Sequence, residues 1–141
     1  MKLETKHLVF YLPYNLKCEV LNSGQEKEIG EMIAVYDDNS ACFGNIIESE
    51  KGFEYIKPVL KPKTFLHELQ DEIYIRWGGG ISKEAKGYWL KDFTDNLMYT
   101  AYPALKFDEI EFMAEYHIDI FGLIEKGLAI DVNTLSVQND G

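Results

Sequence analysis

Over the first half of the chain, apolar and polar positions tend to alternate, and short polar clusters interrupt them. That period of two predicts β-strands with one face on a core. A short apolar run over residues 7–11 reads as a strand that stops at Pro13. Residues 16–21 form the next and end at Asn22-Ser23-Gly24. Residues 30–36 and 40–47 flank Asp37-Asp38-Asn39, good hairpin chemistry because Asp and Asn tolerate left-handed backbone. Glu50-Lys51-Gly52 makes another turn, and residues 53–56 a further strand. Together they predict an antiparallel meander.

The middle is less regular. Pro58 and Pro62 bracket a segment that reads as an edge or connector, since proline donates nothing to a ladder. Thr64 is placed to cap a short helix over 65–70. Ile73, Ile75 and Trp77 alternate with Tyr74 and Arg76, which predicts a strand closed by Gly78-Gly79-Gly80. A helix near 83–93 and an extended piece before Pro103 complete this stretch.

Residues 108–127 carry the strongest periodicity. At about 100° per residue, Phe107, Ile110, Ala114, His117, Phe121 and Ile124 share one stripe. Asp108, Glu111, Glu115 and Asp119 fall opposite, with Phe112 and Tyr116 at the margin. Asp108 and Glu111 match a capping box, and Gly127-Leu128 suits a left-handed C-cap. The expectation is one long amphipathic helix with an acidic ridge, followed by a closing strand over 128–132. The fold class expected is α+β: a single domain in which an N-terminal antiparallel meander packs against a long C-terminal helix.

Composition narrows the function more than the fold. The 141 residues include 14 Lys and Arg against 24 Asp and Glu, a formal charge of −10. Eight of those carboxylates, against two basic residues, lie in 106–141, so the acidity is concentrated at that end. Such a field repels a phosphate backbone and argues against direct nucleic-acid binding, while attracting a basic protein. Its simpler reading is that it keeps the chain in solution. With 46% apolar residues the chain can bury a real core. The first seven residues lack the apolar centre of a signal peptide, and no run reaches the roughly 20 residues of a membrane span. A cytoplasmic location is expected.

Candidate chemistry is sparse. Cys18 and Cys42 are spaced neither as a metal box nor as a redox pair, and read as free thiols in a reducing compartment. His7, His67 and His117 are scattered; His117, on the apolar stripe, reads as a core histidine with one hydrogen-bond partner. Gly78-Gly79-Gly80-Ile81-Ser82 lacks the Gly-Lys-Ser/Thr ending of a phosphate loop and reads as a turn. No nucleophile–base pair is evident, so no enzyme, metal or cofactor is expected. Lys83, Lys86 and Lys91 near Tyr88 and Trp89 form an alternative nucleic-acid patch, because aromatic rings stack on bases while lysines meet phosphates. A helix with a solvated lysine face and two buried aromatics explains that cluster equally well.

One stretch resembles something known: Glu115-Tyr116-His117-Ile118-Asp119-Ile120-Phe121-Gly122-Leu123-Ile124-Glu125-Lys126-Gly127-Leu128-Ala129-Ile130-Asp131-Val132-Asn133-Thr134-Leu135. It is similar to the C-terminal signature of small uncharacterised phage and prophage proteins, with Tyr116 where those relatives carry tryptophan. Leu12-Pro13-Tyr14-Asn15-Leu16-Lys17 resembles their Leu-Pro-Tyr-Gly-Leu-Lys, and Pro58-Val59-Leu60-Lys61-Pro62 their Pro-Ile-Leu-Arg-Pro. The matches span about a quarter of the chain and leave 70–105 uncovered. The family has no established site residues to transfer. The resemblance implies a mobile-element protein acting inside a bacterium, where small acidic proteins often inhibit defence nucleases.

The functional expectation is therefore an anti-CRISPR-like inhibitor. Asp108, Glu111, Phe112, Glu115, Tyr116 and Asp119 would bind a basic nucleic-acid-processing partner, such as an RNA-guided CRISPR nuclease. The alternatives are an accessory protein of phage replication using the Lys83–Lys91 patch, and a structural or assembly component.

Overall fold

The alternation in the first half builds a sheet. In the computed structural model, which describes residues 2–134, its strands are β1 Lys17–Leu21, β2 Lys27–Tyr36, β3 Ser40–Gly44, β4 Glu50–Gly52, β5 Ile56–Leu60 and β6 Ile130–Asp131. Met1 and Leu135, which enter the readings of the leader and of the C-terminal signature, lie outside the described residues. The spatial order is β4-β3-β2-β1-β5-β6. β1 to β3 form the expected antiparallel meander, and β5 adds antiparallel to β1. β4 pairs with β3 where a turn was expected at Glu50-Lys51-Gly52, and a 3-10 helix, Phe53–Tyr55, stands where a strand over 53–56 was expected; its cap returns the chain to extended backbone only at Ile56. β6 pairs in parallel with β5, the arrangement that requires a long crossover, and residues 61–129 supply it. Asn39 takes φ 62° in the hairpin, as the Asp-Asp-Asn turn requires.

Other segments depart from their expected form as well. Residues 7–11 are not a strand: α1 Thr5–Leu8 runs into a 3-10 helix, Val9–Tyr14, that ends at left-handed Asn15. Leu8 and Tyr11, three apart, point into the core with no exposed surface, a helical spacing that overrides the β-prone composition. Pro58 sits inside β5 opposite Cys18, in a strand rather than a connector; it is tolerated because β6 reaches only Val59 and Leu60. Ile73, Ile75 and Trp77 belong to a helix, α2 Gln70–Trp77, which continues a 3-10 helix Lys63–Leu69. Leu66, Leu69 and Ile73 bury one face of that continuous element, while Ile75 is 82% exposed. Thr64 lies within the 3-10 turn and caps nothing; the N-cap is Pro62, whose carbonyl accepts from the Phe65 amide at 2.9 Å. Gly78 ends α2. A Cβ there would lie 2.6 Å from the Tyr74 carbonyl oxygen, the acceptor of the Gly78 amide.

The longest helix is α3 Lys86–Tyr99, which buries Leu90, Thr94 and Leu97 at helical spacing. The extended piece expected before Pro103 is brief: Thr100 and Ala101 are extended, and a 3-10 turn, Tyr102–Ala104, follows. α4 Phe107–Glu115 follows and spans nine residues. The long C-terminal helix is therefore replaced by a short one that packs on the Val9–Tyr14 turn.

A capping motif accounts for the break. His117 adopts φ 59°; its amide donates to the Ala114 carbonyl at 3.0 Å, and the Ile118 amide donates to Met113 at 2.9 Å. That bond pair is a Schellman motif, closed by contact between apolar side chains at its two ends; here Met113 and Ile118 are both fully buried. The chain then docks beside β5. The Lys61 amide donates to the His117 carbonyl at 2.8 Å, and the Asp119 amide donates to the Lys61 carbonyl at 2.9 Å. Tyr11 pins the same stretch: its buried hydroxyl donates to the Ile118 carbonyl and accepts from the Ile120 amide at 3.0 Å. A second such cap at Gly127, φ 73°, returns the chain to β6, with the Leu128 amide donating to Leu123 at 2.9 Å.

Candidate functional site

The surface half of α4 presents Asp108, Glu111 and Glu115, all exposed and one turn apart. The arrangement is set by α2, whose Arg76 and Trp77 reach across. The Arg76 guanidinium lies 3.2 Å from the Glu111 carboxylate and 3.8 Å from that of Glu115. The Trp77 indole N–H donates to Asp108 at 2.8 Å and holds that carboxyl below its usual range. The helix start is closed by Glu109, which accepts from the Lys106 amide at 2.8 Å, and not by the expected Asp108–Glu111 box. Arg76, the only arginine in the chain, was the available sign of such a partner, but its assignment to a strand concealed it.

Two of the six expected contact residues move indoors. Phe112 is 2% exposed, packed edge-on to Trp77 with ring centres 5.0 Å apart. Asp119 is 4% exposed, and its two carboxylate oxygens accept from the Leu123 and Ile124 amides at 2.8 and 2.9 Å. It caps the turn that follows instead of extending the ridge, because the chain leaves the helix after Glu115. Tyr116 is half-buried against Phe112, with ring centres 4.9 Å apart. The face that remains is Asp108, Glu111 and Glu115 around one guanidinium.

An apolar concavity of about 170 Å³ adjoins this face, formed by Val9, Phe10, Pro13, Tyr14, Phe107 and Ile110, with Glu111 on its rim. Phe107 was expected on the buried stripe but is 72% exposed. The Tyr14 hydroxyl lies in the field of Glu111 and Glu115: burial, then those two charges, raise its pKa. The Tyr14 backbone is tied to the same region, since its carbonyl lies 2.6 Å from His117 Nε2. His117 thus has the single partner expected of it. Burial lowers its pKa, and the neutral ring donates that bond.

The alternative patch on α3 is only partly assembled. Lys83, Tyr88 and Lys91 are exposed, but Trp89 packs against Phe93 at 5.0 Å and Tyr74 at 6.1 Å. The Lys86 ammonium lies over the Tyr74 ring at 4.5 Å. Both cysteines are free; burial pushes the Cys18 thiol pKa up, so it is held as the unreactive thiol. Among the described residues no group of three or more His, Cys, Asp or Glu side chains could hold a metal ion. No described helix is long and apolar enough to cross a membrane. Comparison with protein-family models, with curated proteins and with solved structures returns no match for this chain.

Proposed function

We propose that the protein is a non-enzymatic inhibitor that docks through the α4 face onto a basic nucleic-acid-processing protein of a bacterial host. An RNA-guided nuclease is the partner that the resemblance to phage and prophage proteins suggests. The observation that carries this reading is the adjacency of exposed carboxylates to an open apolar concavity: Glu111 belongs to both. Binding hot spots combine an apolar anchor with charges that set orientation. Here Phe107 and Val9 provide the apolar surface, and Asp108, Glu111 and Glu115 the charge. Inhibition would follow from occupying or distorting the groove that takes nucleic acid.

The test is an affinity pull-down from host lysate with and without nuclease, followed by binding of the purified partner. One basic protein that survives nuclease treatment is expected. Glu111→Lys with Glu115→Lys should weaken its binding roughly tenfold or more, with slower association as salt rises. The double variant should still fold, because exposed ion pairs contribute only about 0–1 kcal/mol. Undiminished binding by that variant would remove α4 from the interface.

A second reading uses α3. Tyr88, 81% exposed, stands near the exposed Lys83 and Lys91, as in a stacking platform for single strands. A gel shift with single-stranded RNA and DNA at low salt would reveal it. No shift at micromolar protein removes that reading.

A further inference from the structure

A different concavity brings together three lysines of this acidic chain. It has a volume of about 390 Å³ and is lined by Lys6, His7, Lys63, Tyr102, Phe121 and Lys126, with Glu125 also contributing. Four separate stretches meet there: α1, the start of the 3-10 helix after Pro62, the Tyr102–Ala104 turn, and the turn after Asp119. The break at His117 is what delivers Phe121 and Lys126 to it.

Two of the lysines are poised for an anion. Lys63 Nζ donates to the Thr100 carbonyl at 3.2 Å, and Lys126 Nζ to the Phe121 carbonyl at 3.3 Å. An ammonium has three donors, so each retains two. Among the described residues neither has a carboxylate within salt-bridge distance, whereas Lys6 meets Glu4 at 3.5 Å. Two carboxylates face Lys63 from a greater distance and act against its burial: Asp119, which is engaged by two backbone amides, and Glu125, which is exposed and free to turn to water. Lys63 is half-buried, and burial lowers its pKa, which a bound anion would offset. Tyr102 and Phe121 meet at 4.5 Å between ring centres, tilted by 46°, and form an aromatic corner in the same cavity.

We propose that this pocket binds a small phosphate ester carrying a planar ring, with a nucleoside monophosphate as the simplest member of the class. Lys63, Lys126 and Lys6 meet the phosphate, and the Tyr102–Phe121 corner receives the ring. A phosphate monoester carries nearly two charges at neutral pH, which matches Lys63 and Lys126, with Lys6 drawn partly from Glu4. The volume lies within the range of small-molecule sites. The residues differ from those of the acidic face, so the two readings stand or fall separately.

The experiment is calorimetric titration of the whole protein with adenosine monophosphate, adenosine and inorganic phosphate at low salt. Saturable binding of the monophosphate is expected, tighter than that of either fragment. Lys126→Gln, at an exposed position that leaves the core untouched, should weaken it about tenfold. Lys83→Gln with Lys91→Gln should leave it unchanged. Absence of binding at millimolar ligand would overturn the proposal. Adenosine binding as well as the monophosphate would remove the phosphate role, and phosphate binding as well would remove the aromatic corner. An unaffected Lys126→Gln variant would place the ligand elsewhere.

Discussion

The two halves of the Asp108–Gly127 stretch carry the same residue types and meet opposite fates. In the first half, Glu111 and Glu115 lie on the surface and share Arg76. In the second, Asp119 is buried, and its oxygens close the free amides of a turn. The helical wheel also misplaces two rings within α4 itself, before the break. Phe107, assigned to the buried stripe, is exposed, while Phe112, assigned to the margin of the acidic ridge, is inside. One left-handed residue, His117, separates the halves, and beyond it a helical wheel no longer says which way a side chain points. A carboxylate's role therefore follows from the backbone donors it finds, not from its place in a periodic pattern.

The sharpest way to break the comparison is to remove the carboxylate on each side. Asp119→Ala leaves one buried and one partly buried amide without acceptors and should cost about 3 kcal/mol in denaturant unfolding, with Asp119→Asn costing less. Glu115→Ala, on the surface, should cost no more than about 0.5 kcal/mol. Equal costs for Asp119→Ala and Glu115→Ala would show that the two halves do not differ as described.

The divider itself comes next. His117→Ala keeps a Cβ in the left-handed region and loses the bond to the Tyr14 carbonyl, and should cost about 2 kcal/mol. His117→Gly relieves the backbone and loses only the bond, so it should be the less damaging variant. The reverse order in thermal or denaturant unfolding would mean that the cap does not depend on the left-handed residue.

The smallest effect is on pH dependence. Burial lowers the pKa of both His7 and His117 in the folded protein. The unfolded chain therefore takes up protons first as pH falls. Stability should be full above about pH 6.5, decline as the pH drops below that value, and level off once the folded-state pKa values are passed. Denaturant titrations across this window check it, and His117→Gln should flatten the slope. An unchanged slope would take His117 out of this dependence.

Legibility followed the ratio of local to distant causes. The hairpin between β2 and β3 was readable because alternation and the Asp37-Asp38-Asn39 turn lie together in the chain, and Asn39 takes the left-handed form those residues favour. α2 was misread although Leu66, Leu69 and Ile73 held a helical spacing, because the shorter alternation of Ile73, Ile75 and Trp77 overlapped it. Gly127 announced its own cap. Histidine at 117 did not, since a non-glycine residue enters that region only when its surroundings hold it there. Of the acidic face, the sequence placed Asp108, Glu111 and Glu115 together but not the Arg76 and Trp77 that meet them. The cationic pocket had no local signal, because Lys6, Lys63 and Lys126 are far apart in the chain.

The sequence by itself determined the α+β class, the hairpins of the N-terminal meander, the net acidity and the shared face of Asp108, Glu111 and Glu115. Each depends on residues close in the chain, where period and turn chemistry act directly. Only the tertiary structure decided where α4 ends, which carboxylates stay in water, and which lysines share a cavity. Those outcomes depend on contacts between distant segments. Lys61 offers strand-like partners to His117 and Asp119, Tyr11 and Tyr14 anchor the same turn, and the bonds gained there replace the helical bonds given up beyond Glu115.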